Sequence, residues 1–371
     1  MSDRRPLLSL VLCSRNDGFQ GDSLWRLQTT VNHAARQAAL LGRLESIEVI
    51  VSDWGSERPL RDAVRLSPDA ARVTRFLTVP ADLAREKQCD SPFAEVIAIN
   101  AAARRARGDY IGRIDQDTLV GRRFLRWLFD AARDGATFPL EASVMISNRR
   151  RIPYRFAVRT PPFPVVERYV RSFGRILPAM GGGGSRFWEV YVGILLFHRD
   201  LWEQCAGYDE SLIYYSYMEF DLFLRLASRY AAVDLGAIVG HDFHHLDHIP
   251  AWRSWEEQPR SNNNVIRTPE DPPPEFAPTG PGWGLAGHDL ELEAGTAPAL
   301  EERDVRWSAS LWPELIRSSV AGLALTVADE VRREIGRRGM VRGIAYSLVV
   351  SSGLRPRLGR LRRRSAIDED P

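Results

Sequence analysis

Four short apolar runs, three of them cut off by a polar cluster, constrain this chain more than any other feature. Leu7 to Cys13 stops at Ser14-Arg15-Asn16-Asp17, and Ile47 to Val51 stops at Ser52-Asp53-Trp54-Gly55-Ser56. Val73 to Val79 is a third run, and Tyr110 to Ile114 stops at Asp115-Gln116-Asp117. Runs of this length without alternation read as strands buried on both faces. Helix-like stretches lie between them. Asp22 or Ser23 is placed to cap one that carries Leu24, Leu27, Val31 and Ala34 on one face. Phe93 to Arg107 is Ala-rich, with Val96, Ile97, Ala101 and Ala102 as its apolar positions and Gly108-Asp109 to end it. Strands alternating with helices predict an α/β chain with a doubly wound, mostly parallel sheet and helices on both faces. Ligands of such sheets bind beyond the carboxyl ends of the strands. The three polar clusters are therefore expected on one rim.

The second half is less regular. Arg149 to Ser185 is basic and Pro-containing and ends in Gly181-Gly182-Gly183-Gly184, a glycine run that reads as a mobile loop. Val190 to Phe197 predicts a strand, and Tyr217 to Tyr230 a helix with Leu222, Arg225 and Leu226 in register. Thr268 to Pro281 reads as a Pro-rich linker. The tail from Val320 has a helical pattern and ends in Arg355, Arg357, Arg360 and Arg362 to Arg364. The expected organisation is a catalytic domain over 1–250, a linker and loop over 251–285, and a helical C-terminal extension with a basic tail over 286–371.

A net charge of +2 excludes nucleic-acid binding by overall charge. Cys13, Cys89 and Cys205 are far apart and lack CxxC spacing, so neither a zinc site nor a disulfide framework is indicated, and a reducing cytoplasm is expected. Met1 to Pro6 is polar and leads into a strand-length run rather than the apolar core of a signal peptide. No apolar run approaches the roughly 20 residues of a membrane span. The C-terminal arginines suit peripheral contact with an anionic membrane face or a polyanionic acceptor.

Asp115 and Asp117 project to the same side of an extended segment. Two converging carboxylates repel unless a cation or donors compensate, and a hard divalent cation carried by a diphosphate would do so. Such a triplet alone is more often a solvated acidic turn. Its place after a central strand, beside two other polar clusters, favours a site. Asp53 can accept from a base N–H or a ribose hydroxyl, and Gly55 permits close backbone approach; an ordinary turn is the competing reading. Glu219 and Asp221 sit near a helix start, where the dipole favours carboxylates, and either could take a proton from an attacking hydroxyl. His241, His244, His245 and His248 put four of the seven histidines in one stretch, with Asp242 and Asp247, which favours metal or phosphate contact.

Together these residues resemble the family 2 glycosyltransferases of GT-A fold, over roughly Leu7 to His248. Leu8 to Asp17 is similar to the family's first strand and nucleotide loop, which implies donor contacts from Ser14, Arg15 and Asn16. Glu48 to Ser56 resembles the second strand, whose closing Asp contacts the nucleoside; here that is Asp53, with Gly55 beside it. Asn100 to Asp117 resembles the segment leading to the metal-binding acidic pair. This implies that Asp115 and Asp117 meet the donor and a divalent cation, Mn²⁺ or Mg²⁺. Gly207-Tyr208-Asp209-Glu210, followed by Met218-Glu219-Phe220-Asp221-Leu222, resembles the acceptor-side segment. The family's Glu-Asp pair is Met218-Glu219 here, so Glu219 takes the base position and Asp221 is the second candidate. His245-Leu246-Asp247-His248 resembles a His-x-x-His segment in which a His completes the metal site. Asn262 to Asn264 and Trp283-Gly284-Leu285 resemble the same subset. The implied activity moves a sugar from a nucleoside-diphosphate sugar to a saccharide or lipid-linked acceptor, with inversion. A nucleotidyltransferase would be expected to carry a Gly-rich basic loop near the first strand, which Ser14 to Gly18 is not. A catalytically inactive nucleotide-sugar-binding protein is the non-enzyme alternative, and Met218 is its best argument.

Overall fold

Each of the four apolar runs becomes a strand. The computed structural model describes residues 5–19, 21–177, 192–215, 217–248, 262 and 274–300. In chain order the strands are β1 (Leu8–Ser14), β2 (Ile47–Trp54), β3 (Thr74–Val79), β4 (Tyr110–Arg113), β5 (Thr118–Val120) and β6 (Ser143–Asn148). They continue with β7 (Arg150–Ile152), β8 (Val192–His198), β9 (Ala231–Asp234), β10 (Phe243–Leu246) and β11 (Leu292–Glu293). The helices are α1 (Ser23–Ala39), α2 (Pro68–Val73), α3 (Ala81–Gln88), α4 (Glu95–Arg105) and α5 (Arg122–Asp134). After these come α6 (Tyr154–Ala157), α7 (Phe163–Phe173), α8 (Arg199–Cys205), α9 (Met218–Ala227) and α10 (Leu235–Val239).

Eight strands form one sheet in the order β11-β3-β2-β1-β4-β8-β6-β9. β3, β2, β1 and β4 run parallel. β8 is antiparallel to both β4 and β6, while β9 is parallel to β6. The doubly wound, mostly parallel architecture follows from the alternation of buried strands and helices. Leu8, Leu10 and Leu12 of β1 enter a core shared with α1, α5 and α10, while Val11 enters the opposite core with α4, α8 and α9. This period-two division means that helices cover both faces, and each fully buried Leu contributes roughly 1.5–3 kcal/mol. Leu27, Val31 and Ala34 form the buried stripe of α1, as their spacing predicts. Asp22 does not cap that helix through its side chain; it adopts a left-handed conformation, and its carbonyl accepts from Arg26 N at 3.0 Å.

A second sheet, β5-β10-β7, is small but decisive for the site. β10 pairs antiparallel with β5, setting His245 opposite Thr118, and parallel with β7, setting His245 opposite Arg151. Leu246 N also donates to the Asp117 carbonyl at 2.9 Å.

Asn100 holds two distant segments together. Its buried amide donates to Tyr208 O and Glu210 Oε1, each at 2.9 Å, and accepts from Tyr208 N at 2.8 Å. Glu210 in turn accepts from Gly284 N at 2.7 Å, and Trp283 packs into the core beside α4. The Asn100, Gly207–Glu210 and Trp283–Leu285 motifs are thus one clamp. Residues 286–300 were expected to begin a helical extension. Instead they run along the sheet edge, where β11 pairs antiparallel with β3. The expected Gly181–Gly184 loop, Asn263, Asn264, most of the linker and the arginine-rich tail lie outside the described residues. Among the described residues no helix is long and apolar enough to cross a membrane.

Candidate active site

The parallel strands end together. Ser14 of β1 is in register with Asp53 of β2, and the loops beyond them interlock. Ser14 Oγ donates to Gln116 Oε1 at 2.5 Å, and Asn16 N donates to Ser56 Oγ at 2.9 Å. The three polar clusters therefore share one rim. Arg15 lies over the Phe93 ring and donates to Asp17 at 2.8 Å and to Pro92 O at 3.0 Å.

Two rim residues make their contacts within their own loop and to the neighbouring helix. Asp53 is fully buried, and its oxygens are occupied within its own turn by Ser56 Oγ and by Leu60 N at 2.7 Å. Burial pushes its carboxyl above the usual range, against those hydrogen bonds. Gly55 has φ +71°, and a Cβ there would lie 2.8 Å from Ala84 Cβ. The close approach that requires glycine is thus to α3. In this arrangement Asp53 and Gly55 shape the loop that presents Ser56 to Asn16.

Asp117, His245 and His248 converge from the two edges of the β5/β10 pairing. His245 Nδ1 lies 2.9 Å from Asp117 Oδ1, and His248 Nε2 lies 3.1 Å from Asp117 Oδ2. One atom from each residue falls within a 4.8 Å group. Donors bound about 2.1 Å from one ion sit about 3 Å from each other, so the spacing fits a divalent cation. Protonation fits too. Burial, reinforced by Arg149, lowers the His245 pKa, leaving a neutral imidazole at neutral pH. Burial opposes the ionisation of Asp117, but the hydrogen bonds and fields of His245 and His248 hold it well below the usual carboxylate range. An ionised carboxylate beside a neutral imidazole is the state a cation requires.

Asp115 was expected to share that role but is drawn elsewhere. It pairs with Arg149 Nη1, and at 2.7 Å with Arg113 Nη2. Arg149 also reaches Asp117 Oδ1 at 3.4 Å and donates to Thr118 Oγ1 at 3.1 Å. The other two clustered histidines leave the site. His244 faces away from His245 on β10, and burial depresses its pKa to about 4. The Cβ that an alanine at position 236 would carry falls 2.3 Å from His241 Cε1, so His241 packs on the start of α10. Asp242 accepts from the Arg123 and Phe124 amides at 2.7 and 3.1 Å, capping α5.

The sequence expectations omitted a hub around Arg113. Its Nη2 is 2.5 Å from Glu95 Oε1, 2.7 Å from Asp115 Oδ1 and 2.7 Å from Glu219 Oε1. Arg113 is 3% exposed although it closes a four-residue strand. Burial disfavours its charge, but Asp115, Glu219 and Glu95 more than compensate, and its pKa rises well above the usual value. Glu95, in the first turn of α4, was legible only as a helix-start acid. Asp221 does not join the hub. It pairs at 2.8 Å with Arg225, which is fully buried and also donates to Cys205 O, Gly207 O and Phe276 O.

Burial raises the Glu95 carboxyl to about 7, against the attraction of Arg113 and with added repulsion from Glu219 and Asp115. A carboxyl whose folded pKa exceeds its unfolded value of 4.5 binds a proton in the native state that the unfolded chain has released. Stability therefore falls as pH rises from about 4.5 to about 7. The expected loss from this group is about 1–2 kcal/mol, held down because solvent reaches part of the side chain. Urea melts at pH 5 and pH 8 should show that loss in the native protein and not in Glu95→Gln. Equal losses in the two proteins would assign the titration to another group.

No protein-family model matches the chain, and no curated protein matches it. Solved structures do. The chain is similar to the mannosyltransferase PcManGT from Pyrobaculum calidifontis in complex with GDP-Man and Mn²⁺, at 15% identity over 95% of this chain and 88% of that one, TM-score 0.41. It is similar to S. aureus TarS in complex with UDP, at 13% identity over 67% of this chain and 62% of that one, TM-score 0.41. A third is the catalytic domain of Drosophila β1,4-galactosyltransferase 7 with xylobiose, at 13% identity over 66% and 72%, TM-score 0.36.

Proposed function

We propose that this chain is a metal-dependent glycosyltransferase that moves a sugar from a nucleoside-diphosphate sugar to an acceptor hydroxyl, with inversion, in cell-surface polysaccharide or glycolipid synthesis. One observation carries the reading: Asp117, His245 and His248 form a cation-sized cluster on the rim where the nucleotide-loop residues Ser14 and Asn16 and the carboxylate of Glu219 also gather. The cation, Mn²⁺ or Mg²⁺, would neutralise the charge of the departing diphosphate when bound. Ser14, Arg15 and Asn16 line the donor side. Arg149, buried beside Asp115 and Asp117 with its Nε unpartnered among the described residues, adds positive charge next to the diphosphate position. Glu219 accepts the proton of the acceptor hydroxyl as its oxygen bonds to the anomeric carbon and the bond to the diphosphate breaks. Arg113 fixes the Glu219 carboxylate on the acceptor side. The acceptor is a saccharide or a lipid-linked acceptor.

The test is a panel of nucleotide-sugars, with thermal shift and nucleoside-diphosphate release read with Mn²⁺ and with a chelator. At least one donor should raise Tm only with the metal and release its nucleoside diphosphate in the presence of an acceptor. If Mn²⁺ itself binds and no nucleotide-sugar shifts Tm, the donor assignment is wrong. If Mn²⁺ fails to bind, the metal assignment is wrong as well.

A further inference from the structure

The carboxylate of Asp117 lies between two buried guanidinium groups and closes on neither. Arg149 Nη1 is 3.4 Å from Oδ1 and Arg26 Nε is 3.9 Å from Oδ2, and all three residues are buried. A buried arginine beside a carboxylate ordinarily makes a charge-assisted contact of roughly 2.7–2.9 Å. Each of these two is held back by other oxygens. Arg26 donates to Gly21 O at 2.7 Å and to Phe19 O at 2.9 Å. Arg149 Nη1 makes its closest contact with Asp115 Oδ2 and donates to Thr118 Oγ1 at 3.1 Å. Asp115 is itself fixed, since its other oxygen pairs with Arg113 Nη2 at 2.7 Å. The two restraints differ in kind. Arg26 is tied to main-chain carbonyls of the loop before α1. Arg149 is tied to a side chain, and among the described residues Asp115 and Asp117 are its two carboxylate partners.

We propose that Asp115 is a positioning residue that keeps Arg149 off the cation carboxylate, a role that rests on Asp117, His245 and His248 holding the cation. A cation at Asp117 needs a lone pair of Oδ1. A guanidinium closing on that oxygen takes the lone pair and sets a fixed positive charge beside the ion. Without the Asp115 carboxylate, Asp117 Oδ1 is the remaining anionic oxygen beside Arg149 Nη1, and an advance of roughly half an ångström completes the ion pair. Burial sharpens that competition, because salt and water screen it little. Asp115 therefore serves the cation without touching it. The pairing that draws it away from the metal position is also what keeps Asp117 open.

Calorimetric titration of the full chain with Mn²⁺ tests this role in a double-mutant cycle. Asp115→Asn keeps the side-chain volume and should weaken Mn²⁺ by about tenfold, the equivalent of one hydrogen bond to a charged group. Arg149→Met removes the competitor and leaves Asp115 paired with Arg113, so Mn²⁺ should bind about tenfold tighter than to the native chain. In the Arg149→Met background, Asp115→Asn should weaken Mn²⁺ by less than about threefold, because nothing remains for Asp115 to hold back. A direct ligand behaves otherwise: its loss weakens Mn²⁺ by the same factor with or without Arg149. An equal loss in the two backgrounds, or Mn²⁺ binding to Arg149→Met no tighter than to the native chain, overturns the proposal and leaves the cation at Asp117. The Arg149→Met arm decides by itself if Asp115→Asn does not fold. A native chain that binds no Mn²⁺ overturns the metal site and this role together.

Discussion

Asp117→Ala is expected to abolish Mn²⁺-dependent donor binding and to lower turnover by roughly three orders of magnitude, because a metal-held diphosphate draws several kcal/mol of transition-state stabilisation from the ion. The carboxylate supplies both contacts that organise the cluster, one oxygen to His245 and the other to His248. It also lies 3.4 Å from Arg149 and 3.9 Å from Arg26, both buried. Removing it leaves two guanidinium groups short of a counter-charge, so some loss of stability accompanies the loss of metal. Asp117→Asn separates the two effects: it keeps the volume and an acceptor oxygen but loses the charge that a cation needs. His245→Ala should weaken Mn²⁺ more than about tenfold without disturbing the arginines. Mn²⁺ titration by calorimetry or paramagnetic resonance reads the metal directly, and donor-induced thermal shift reads its consequence. Unchanged Mn²⁺ affinity in a folded Asp117→Asn protein would remove the metal assignment.

The parallel half of the sheet was legible because both faces of its strands are buried, which leaves a continuous apolar run and an abrupt polar end. β1, β2, β3 and β4 all begin within a residue or so of their apolar runs. The pairing β5-β10-β7 left no such mark, since its strands have three or four residues and include Arg150, Arg151, His244 and His245. Until that pairing is known, four clustered histidines read as one group. Once β10 is a strand, its period of two sends His244 and His245 to opposite faces. Arg113 was hidden for a related reason. A charged residue at the end of an apolar run reads as the strand's exit, and only the fold brings Glu95, Asp115 and Glu219 around it. Asp53 shows the reverse limit: sequence marks a conspicuous turn acid but not whether its oxygens face a ligand or, as here, its own Ser56 and Leu60.

Glu219→Gln is expected to lower kcat by about 10²–10⁴-fold with little change in donor KM, because a base that takes the acceptor proton acts in the transition state and not in donor binding. Glutamine keeps the size and a hydrogen-bonding oxygen, so Arg113 retains a partner at that position beside Glu95 and Asp115. Asp221→Asn is the paired control, and the structure gives it a different outcome. Residues two apart on a helix point to different sides, and Asp221 is spent on Arg225, whose guanidinium has no exposure. Asparagine there leaves a buried cation without its counter-charge, at about 3–5 kcal/mol of stability, while kcat per folded molecule stays near native. Urea melts and active-site titration separate the two quantities. A drop in kcat for well-folded Asp221→Asn as large as that for Glu219→Gln would mean that Asp221 is the base. Near-native turnover in both would move the proton to another acceptor. Glu95 is then the first to examine, since it shares the same guanidinium nitrogen and its carboxyl, raised to about 7, is the kind of weak acid that can exchange a proton near neutrality.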